Sequence, residues 1–290
     1  MQRKLKDYQK FIRVGILFLM NCFLLSGCGG ISENQNDSAQ KNGQDSTQIL
    51  DVWFFACSED ADSILLRTPD ADVMIDTGIE EDSEQLIEKL RAIGVDDVEL
   101  LVLTHPDKDH IGGAVGVLDS FPVEQVVQTA CVKGSELQKE MDRSFLKNPG
   151  TESVQIPQEI QKISFGELQL TIYPPQEDEY KNSNNYSIGV LAEFDGTSFF
   201  FAGDAKKKRI KELLGENLPD VDVYKVAHHG RDNGASEELI GQLKPEYAVV
   251  TAQQAEEKTT QAFRMLGTKV YSSFEKDVHF SVKDGILDVG

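Results

Sequence analysis

The apolar residues Leu100-Leu101-Val102-Leu103 run without a break into Thr104-His105-Pro106-Asp107-Lys108-Asp109-His110-Ile111-Gly112-Gly113. Glu99 to Thr104 reads as a buried strand, because a strand covered on both faces is continuously apolar rather than alternating. Two histidines and two aspartates follow within the next six positions. No core holds that many polar side chains unpaired. They belong at the carboxyl end of the strand, where open α/β sheets gather ligands. A chain built around this junction needs a sheet with covered faces, and therefore layers of strands and helices.

The remaining segments suit such layers. Ile49 to Ala56, Asp62 to Thr68 and Val73 to Ile75 are short and β-rich, separated by Ser-Glu-Asp and Pro-Asp turns. Over Asp82 to Ile93, the residues Leu86, Ile87, Leu90 and Ile93 share one helical face, with Gly94 placed to stop it. Ser135 to Leu146 repeats the pattern with Leu137, Met141 and Phe145. Ile163 to Tyr173, Ile188 to Phe194 and Ser198 to Ala202 read as a meander of strands. Helix Ala205 to Leu214, strand Val221 to Ala227, helix Ser236 to Leu243 and strand Tyr247 to Thr251 then alternate. A helix near Lys258 to Leu266 precedes closing strands at Val270, Val278 to Val282 and Ile286 to Val289. With no repeat and no long linker, the expectation is one layered α/β domain over residues 49–290.

The N-terminal stretch reads as an address. Residues 1–13 carry five basic residues (Arg3, Lys4, Lys6, Lys10, Arg13) and one acid, Asp7, ahead of the apolar run Val14 to Gly27. A basic start, a short apolar run and small residues at its end make the pattern of a secretory signal. The run is 14 residues long and interrupted by Asn21, short of the roughly 20 that cross a bilayer; an uncleaved anchor is the alternative. Leu25-Ser26-Gly27-Cys28 resembles a bacterial lipobox. The resemblance implies a signal peptide over 1–27, a diacylglyceryl group on Cys28, and a protein anchored by lipid on the extracytoplasmic face of a bacterial membrane. Residues 29–48 have Ile31 as their one large apolar residue, so 28–48 reads as lipidated cysteine plus flexible linker.

The whole chain has a formal charge of −20, and loss of residues 1–27 leaves 24 basic against 48 acidic residues, a charge of −24. Such a field repels polyanions, so stable nucleic-acid binding is not expected, and the lipid is the expected membrane contact. Once Cys28 is lipidated, Cys57 and Cys131 are left, either as a disulfide or as two buried thiols.

There are five histidines. Besides His105 and His110, His228-His229-Gly230 follows the strand-like Val221 to Ala227, and Asp204 follows Phe199-Phe200-Phe201-Ala202-Gly203. Three segments distant in sequence thus converge at strand ends. In an extended segment His105 and Asp107 point the same way, and after a turn Asp109 and His110 approach from the other side. With Asp204 as a possible bridge and His228 (or His229), they supply three imidazoles and three carboxylates, enough for two divalent ions. Taken singly, an adjacent histidine pair is usually a surface feature and an Asp-rich turn a solvated loop or cap. Their joint placement carries the argument. Gly112 and Gly113 let a helix start close to the site. His279 alternates with the apolar Val278 and Phe280, and reads as an outward-facing strand residue.

These motifs resemble the metallo-β-lactamase superfamily, with its H-x-H-x-D-H signature followed by two glycines. His105-x-Asp107-x-Asp109-His110 is similar to the variant in the hydrolase domain of ComEC-like competence proteins, where aspartate replaces the second histidine. Asp76-Thr77-Gly78, Asn184 to Ser187, Gly203-Asp204 and His228-His229-Gly230 fall in that family's order and spacing. The resemblance implies a four-layer αβ/βα sandwich with the metal site at the sheet edges. It places Asp76 and Asn184 behind the ligands, steadying their loops. The chain departs from the pattern at Cys57-Ser58-Glu59-Asp60-Ala61-Asp62, where a glycine-rich G-x-G-D turn is usual, at Arg231, where serine is usual, and at Thr251 to Ala255. Zinc is the default metal; three carboxylates admit manganese.

On the substrate side, Lys206-Lys207-Lys208-Arg209 at a helix start is a local basic cluster in an acidic chain, either an anion contact or a solvated face. Lys108 and Arg231 are further candidates beside Lys206. The expectation is a metallohydrolase acting on a phosphodiester or other anionic ester, small or polymeric, in which a metal-held hydroxide is oriented by Asp109. A nuclease assisting DNA uptake or degradation and a non-catalytic metal-binding surface lipoprotein are the alternatives.

Overall fold

In the computed structural model, residues 48–290 other than 132, 149 and 152 are described. The signal peptide expected over 1–27, the lipidation expected at Cys28 and the expected linker up to residue 47 lie outside the described residues. The first half of the domain runs β1 (Ile49–Phe54), β2 (Ser63–Arg67), β3 (Asp72–Thr77), α1 (Ser83–Ile93), β4 (Val98–Leu103), the short helices α2 (Lys108–Ile111) and α3 (Ala114–Ser120), β5 (Val123–Gln128), α4 (Glu136–Lys147) and β6 (Ser153–Gln155). The second runs β7 (Gln161–Phe165), β8 (Leu168–Tyr173), β9 (Gly189–Phe194), β10 (Thr197–Phe201), α5 (Lys207–Gly215), β11 (Val223–Lys225), α6 (Ser236–Leu243), β12 (Tyr247–Val250), α7 (Glu257–Leu266) and β13 (Lys269–Ser272). β14 (Val278–Lys283) and β15 (Ile286–Val289) then return to the first half. One sheet has the order β15-β14-β1-β2-β3-β4-β5-β6, the other β13-β12-β11-β10-β9-β8-β7.

The twofold side-chain period of strands sorts the layers. Leu50, Val52, Phe54, Val73, Ile75, Leu100 and Val102 of the first sheet meet Leu170, Ile172, Val190, Phe199, Phe201 and Val223 of the second in one buried core. The residues between them turn outward: Met74, Leu101 and Leu103 pack with Leu86, Leu90, Val117, Met141 and Phe145 of α1, α3 and α4. On the far side Phe200 and Tyr224 pack with Ile210, Leu213, Leu239, Ile240 and Phe263 of α5, α6 and α7. The result is the four-layer αβ/βα sandwich. In each sheet, three adjacent strand pairs are parallel; parallel neighbours need crossovers, and those crossovers supply the outer helices.

Local chemistry sets the ends of these elements. Gly94 caps α1 at φ 95°, with its N–H on Leu90 and Arg91 carbonyls, and the Ser135 hydroxyl accepts from Gln138 N at the start of α4. Two expectations are corrected. Val221 to Ala227 is strand only over β11, because the chain turns left-handed at His228 and His229. β5 was not foreseen: Pro122, Glu124 and Gln125 interrupt its apolar pattern, and parallel pairing with β4 makes it a strand. Cys57 and Cys131 are free thiols. His279 does face outward, stacked on Trp53 with centroids 3.8 Å apart and paired with Asp51 at 2.8 Å.

Candidate metal centre

Three strand ends deliver the polar residues. His105 follows β4, Asp107 is the N-cap of α2, and Asp109 and His110 occupy its single turn. That turn sits directly on the Asp76-Thr77-Gly78 loop: Gly112 N donates to Gly78 O at 2.9 Å and the Thr77 hydroxyl to His110 O at 3.0 Å. A Cβ at Gly113 would lie 2.4 Å from Thr77 O, and one at Gly112 2.4 Å from Glu80 N; only glycine permits this approach. Asp204 follows β10. His228 and His229 follow β11 in a left-handed turn, at φ 54° and 57°, tied to the Asp204 loop by His228 N to Gly203 O at 3.0 Å. Non-glycine residues held there cost about 1–3 kcal/mol each and collect at functional sites.

The side chains meet around Asp204. Its Oδ1 lies 3.2 Å from His110 Nε2 and 3.3 Å from His229 Nε2, and Asp109 Oδ2 lies 3.3 Å from His229 Nε2 and 3.9 Å from His110 Nε2. The other oxygen, Oδ2, lies 3.9 Å from His105 Nε2, which is 3.8 Å from Asp107 Oδ1. His105 Nε2, His110 Nε2, His229 Nε2 and Asp204 Oδ1 are buried and have no hydrogen-bond partner among the described residues. Each such atom costs about 1–3 kcal/mol when left unpaired. Nitrogen and carboxylate oxygen donors converging in this way fit a divalent cation.

The opposite edges of the rings explain why the Nε2 atoms are bare. His110 Nδ1 is 2.7 Å from Asp76 Oδ2, and Asp76 also accepts from Thr104 N at 2.8 Å and from the Thr104 hydroxyl at 2.7 Å. That hydroxyl, having donated, accepts from His105 Nδ1 at 3.2 Å. His229 Nδ1 donates to the Thr251 hydroxyl at 2.8 Å, which donates to Asp62 Oδ1 at 2.6 Å. Every partner on the Nδ1 side is an acceptor, so the network keeps a proton on Nδ1 of each ring and leaves Nε2 as the nitrogen turned inward, where a metal would take the place of any proton. Asn184 Nδ2 donates to Asp204 Oδ2 at 3.0 Å, and Asp204 N to the Ser187 hydroxyl at 3.0 Å. Asp76 and Asn184 thus stand behind the cluster.

Adjacency did not separate His228 from His229; the geometry does. His229 is fully buried with Nε2 bare, whereas His228 Nε2 accepts from Arg231 Nη1 at 3.0 Å and its Nδ1 is 2.8 Å from Asn233 Oδ1. His228 Nε2 lies 3.8 Å from Asp204 Oδ2, at the rim. Burial works against charge on His110 and His229, yet the facing carboxylates outweigh it: Asp204 with Asp76 and Asp62 raises His110 well above its ordinary value, and Asp204 with Asp62 pushes His229 up to about 10. His105 goes the other way, down to about 3, through burial and its neighbour His110.

Asp62 was missed as a site residue, although the departure from the expected turn at Cys57 to Asp62 pointed to the segment. Asp62, His110, Asp204 and His229 each place an atom within 4.8 Å of the others. The Asp62 oxygens face the Nδ1 edges, however, 3.2 Å from His229 and 3.6 Å from His110, and are engaged by Thr251 and Lys225. Lys133 was also missed: its Nζ lies 2.6 Å from Asp107 Oδ1. The basic cluster is corrected at Arg209, which is fully buried and donates to Ser187 O at 2.8 Å, Tyr173 O at 2.7 Å and Glu212 Oε2 at 3.1 Å. It pins the loop before β9. Lys206 is the half-buried N-cap of α5, Lys108 is exposed and 3.6 Å from Glu59, and Arg231 reaches Asp60 at 3.0 Å.

The chain is 31% identical over 172 residues to ComE operon protein 3 of Bacillus subtilis, covering 58% of this chain and 21% of that protein. It is 25% identical over 195 residues to Competence protein ComA of Neisseria gonorrhoeae, covering 66% and 25%. It therefore spans about a fifth to a quarter of their length. The fold is shared with the metallo-beta-lactamase fold protein YhfI from Bacillus subtilis (TM-score 0.55, 10% identity, 83% of this chain and all of that one). It is also shared with Tm1679, a metal-dependent hydrolase of the beta-lactamase superfamily (TM-score 0.55, 13% identity, 81% and 100%). Residues 59–252 match the family model described as Metallo-beta-lactamase superfamily. With that match over more than half its length, on the fold and the histidine-aspartate cluster described above, the chain belongs to the metallo-beta-lactamase superfamily.

Proposed function

We propose that this protein is a metal-dependent hydrolase of a phosphodiester or other anionic ester, held by a lipid on Cys28 at the extracytoplasmic face of a membrane. The observation that carries the reading is the convergence of bare Nε2 atoms and carboxylate oxygens on the two sides of Asp204. Asp109, His110, Asp204 and His229 would hold one divalent ion; His105, Asp107 and the second oxygen of Asp204 would hold another. Bound there, two such ions supply Lewis acidity toward a water and an ester oxygen; zinc suits the imidazoles and manganese the carboxylates.

The chain's own groups do the rest. Asp109 keeps a quarter of its side chain exposed. Burial opposes its charge, but His229 and His110 hold its carboxyl below the ordinary range. Its partly exposed carboxylate is available to orient a water. Lys133, Lys206, Arg231 and Lys108 are the cations from which an acidic chain would draw a contact to an anionic ester. The N-terminal address supports the lipid anchor, and among the described residues no helix is long and apolar enough to cross a membrane.

A soluble chain of residues 29–290, stripped and reloaded with zinc or manganese, tests this on bis(p-nitrophenyl) phosphate. Metal-dependent turnover that vanishes in Asp109→Ala and His110→Ala is the expected result. Bound metal without turnover would remove the phosphodiesterase reading and leave carbonyl esters or metal capture. The likeness of His105-x-Asp107-x-Asp109-His110 to the ComEC-like variant favours a second reading, a nuclease assisting DNA uptake or degradation. It predicts DNA cleavage that falls steeply with salt.

A further inference from the structure

Lys225 ends β11 with its side chain fully buried, one strand period beyond the inter-sheet core residue Val223. An apolar residue would continue that face. A buried ion pair is often no more stabilising than a well-packed apolar pair, so this lysine needs another reason to be there. Its Nζ pairs with Asp62 Oδ2, across from the first half of the domain, and lies 3.4 Å from Gly203 O, one residue before Asp204. With Oδ2 taken, Asp62 turns Oδ1 to the Thr251 hydroxyl at 2.6 Å, and that hydroxyl receives His229 Nδ1–H at 2.8 Å. Asp62 Oδ1 itself lies 3.2 Å from His229 Nδ1. Asp62 is tied from behind as well, its N donating to Asp109 O at 3.0 Å and its O accepting from Gly78 N at 2.7 Å.

We propose that Lys225, Asp62 and Thr251 form a positioning relay that holds the His229 ring with Nε2 facing Asp204 and Asp109, and so sets metal affinity on that side of the centre. The inference rests on the metal-binding reading above and deepens it. The ammonium fixes which Asp62 oxygen is free, the carboxylate fixes the direction of the Thr251 O–H, and the hydroxyl oxygen is then open only to an Nδ1–H. A ring released from that acceptor rotates or moves its proton to Nε2, where a metal would bind. His105 lies outside the relay, since its Nδ1 rests on Thr104.

The test compares the wild-type chain with Thr251→Val, Thr251→Ser and the double variant Asp62→Asn/Lys225→Met. The double variant removes both charges together and so avoids the stranded buried carboxylate that Lys225→Met alone would leave. Zinc affinity is read by competition with a chromophoric chelator, and solvent-exchangeable imidazole N–H signals are read by NMR of the cobalt-loaded protein. Thr251→Val and the double variant should lose about tenfold or more in zinc affinity and one imidazole N–H signal, while Thr251→Ser restores both. Unchanged affinity and a full set of N–H signals in both variants, whatever their melting temperatures, would overturn the relay and leave the pair as a tie between the sheets. A wild-type chain that takes up no metal would overturn the metal-binding reading as well.

Discussion

Asn at position 76 is nearly the shape of Asp, yet Asp76→Asn should disable half of the centre. Asp76 is fully buried and accepts three hydrogen bonds, from Thr104 N at 2.8 Å, the Thr104 hydroxyl at 2.7 Å and His110 Nδ1 at 2.7 Å. An amide has one acceptor oxygen and one donor nitrogen. With its NH2 in place of Oδ2, it faces two donors; with its NH2 in place of Oδ1, it faces the Thr104 N–H. The Thr104 hydroxyl cannot simply reverse, because it accepts from His105 Nδ1. One buried donor is therefore left unpaired at a cost of about 1–3 kcal/mol, which lowers the melting temperature by about 2–4 °C per kcal/mol in a domain of this size. His110 also loses the acceptor that keeps its Nε2 bare. Loss of such a support weakens metal binding by about 10–100-fold, or about 1.4–2.8 kcal/mol. Zinc competition on the stripped protein, with thermal melting alongside, measures both. Wild-type zinc affinity in Asp76→Asn would refute the argument that Asp76 sets the His110 tautomer, whatever happened to stability.

Other outcomes follow from the same geometry. Gly113→Ala should cost about 1–3 kcal/mol by overpacking, since its Cβ would lie 2.4 Å from Thr77 O, whereas Gly241→Ala in α6 meets nothing within 4 Å and should be neutral or stabilising; urea denaturation of the pair checks this, and equal stabilities would be contrary. Zinc binding at pH 7.5 should release about two protons, because the carboxylates hold His110 well above its ordinary value and His229 at about 10, while His105, at about 3, contributes none. Calorimetry in buffers of different ionisation enthalpy counts them, affinity should rise with pH through the neutral range, and no release would contradict the assignment. Burial, opposed by Arg67 and reinforced by Glu99, pushes Asp72 up to about 7. The folded state then binds the extra proton between the ordinary carboxylate range and pH 7, so Asp72 makes stability fall as pH rises through that window. Asp72→Asn should remove this decline and be the more stable form above pH 7, and parallel pH–stability profiles would count against it.

Much of the centre was readable because its residues follow strands. The apolar run ending at Leu103 and the triple phenylalanine ending at Phe201 mark strand ends whatever surrounds them, so His105, Asp107, Asp109, His110 and Asp204 could be placed from local pattern. The faces of α1 and α4 were readable for the same reason: a 3.6-residue period is a property of a short window. Gly112 and Gly113 also announced themselves, since two glycines after His110 signal a close approach, here onto Thr77 and Glu80.

What stayed hidden lies in contacts between distant segments. His228 and His229 are neighbours with identical side chains; the left-handed turn sends one ring into the cluster and leaves the other against Arg231 and Asn233. Arg209 belonged to a run of cations, and only the packing of α5 on the loop before β9 shows that it is an interior hydrogen-bond donor rather than an anion contact. Lys225 and Asp62 are 163 positions apart and Thr251 and Asp62 189. Neither Lys225 nor Thr251 carries a local mark, because burial and hydrogen-bond partnership arise when the two sheets come together. Periodicity and residue chemistry thus settle most of the elements and the strand ends at which polar side chains gather, while the pairing of β5, the part played by Asp62 and the orientation of each ring depend on partners that only the closed sandwich brings within reach.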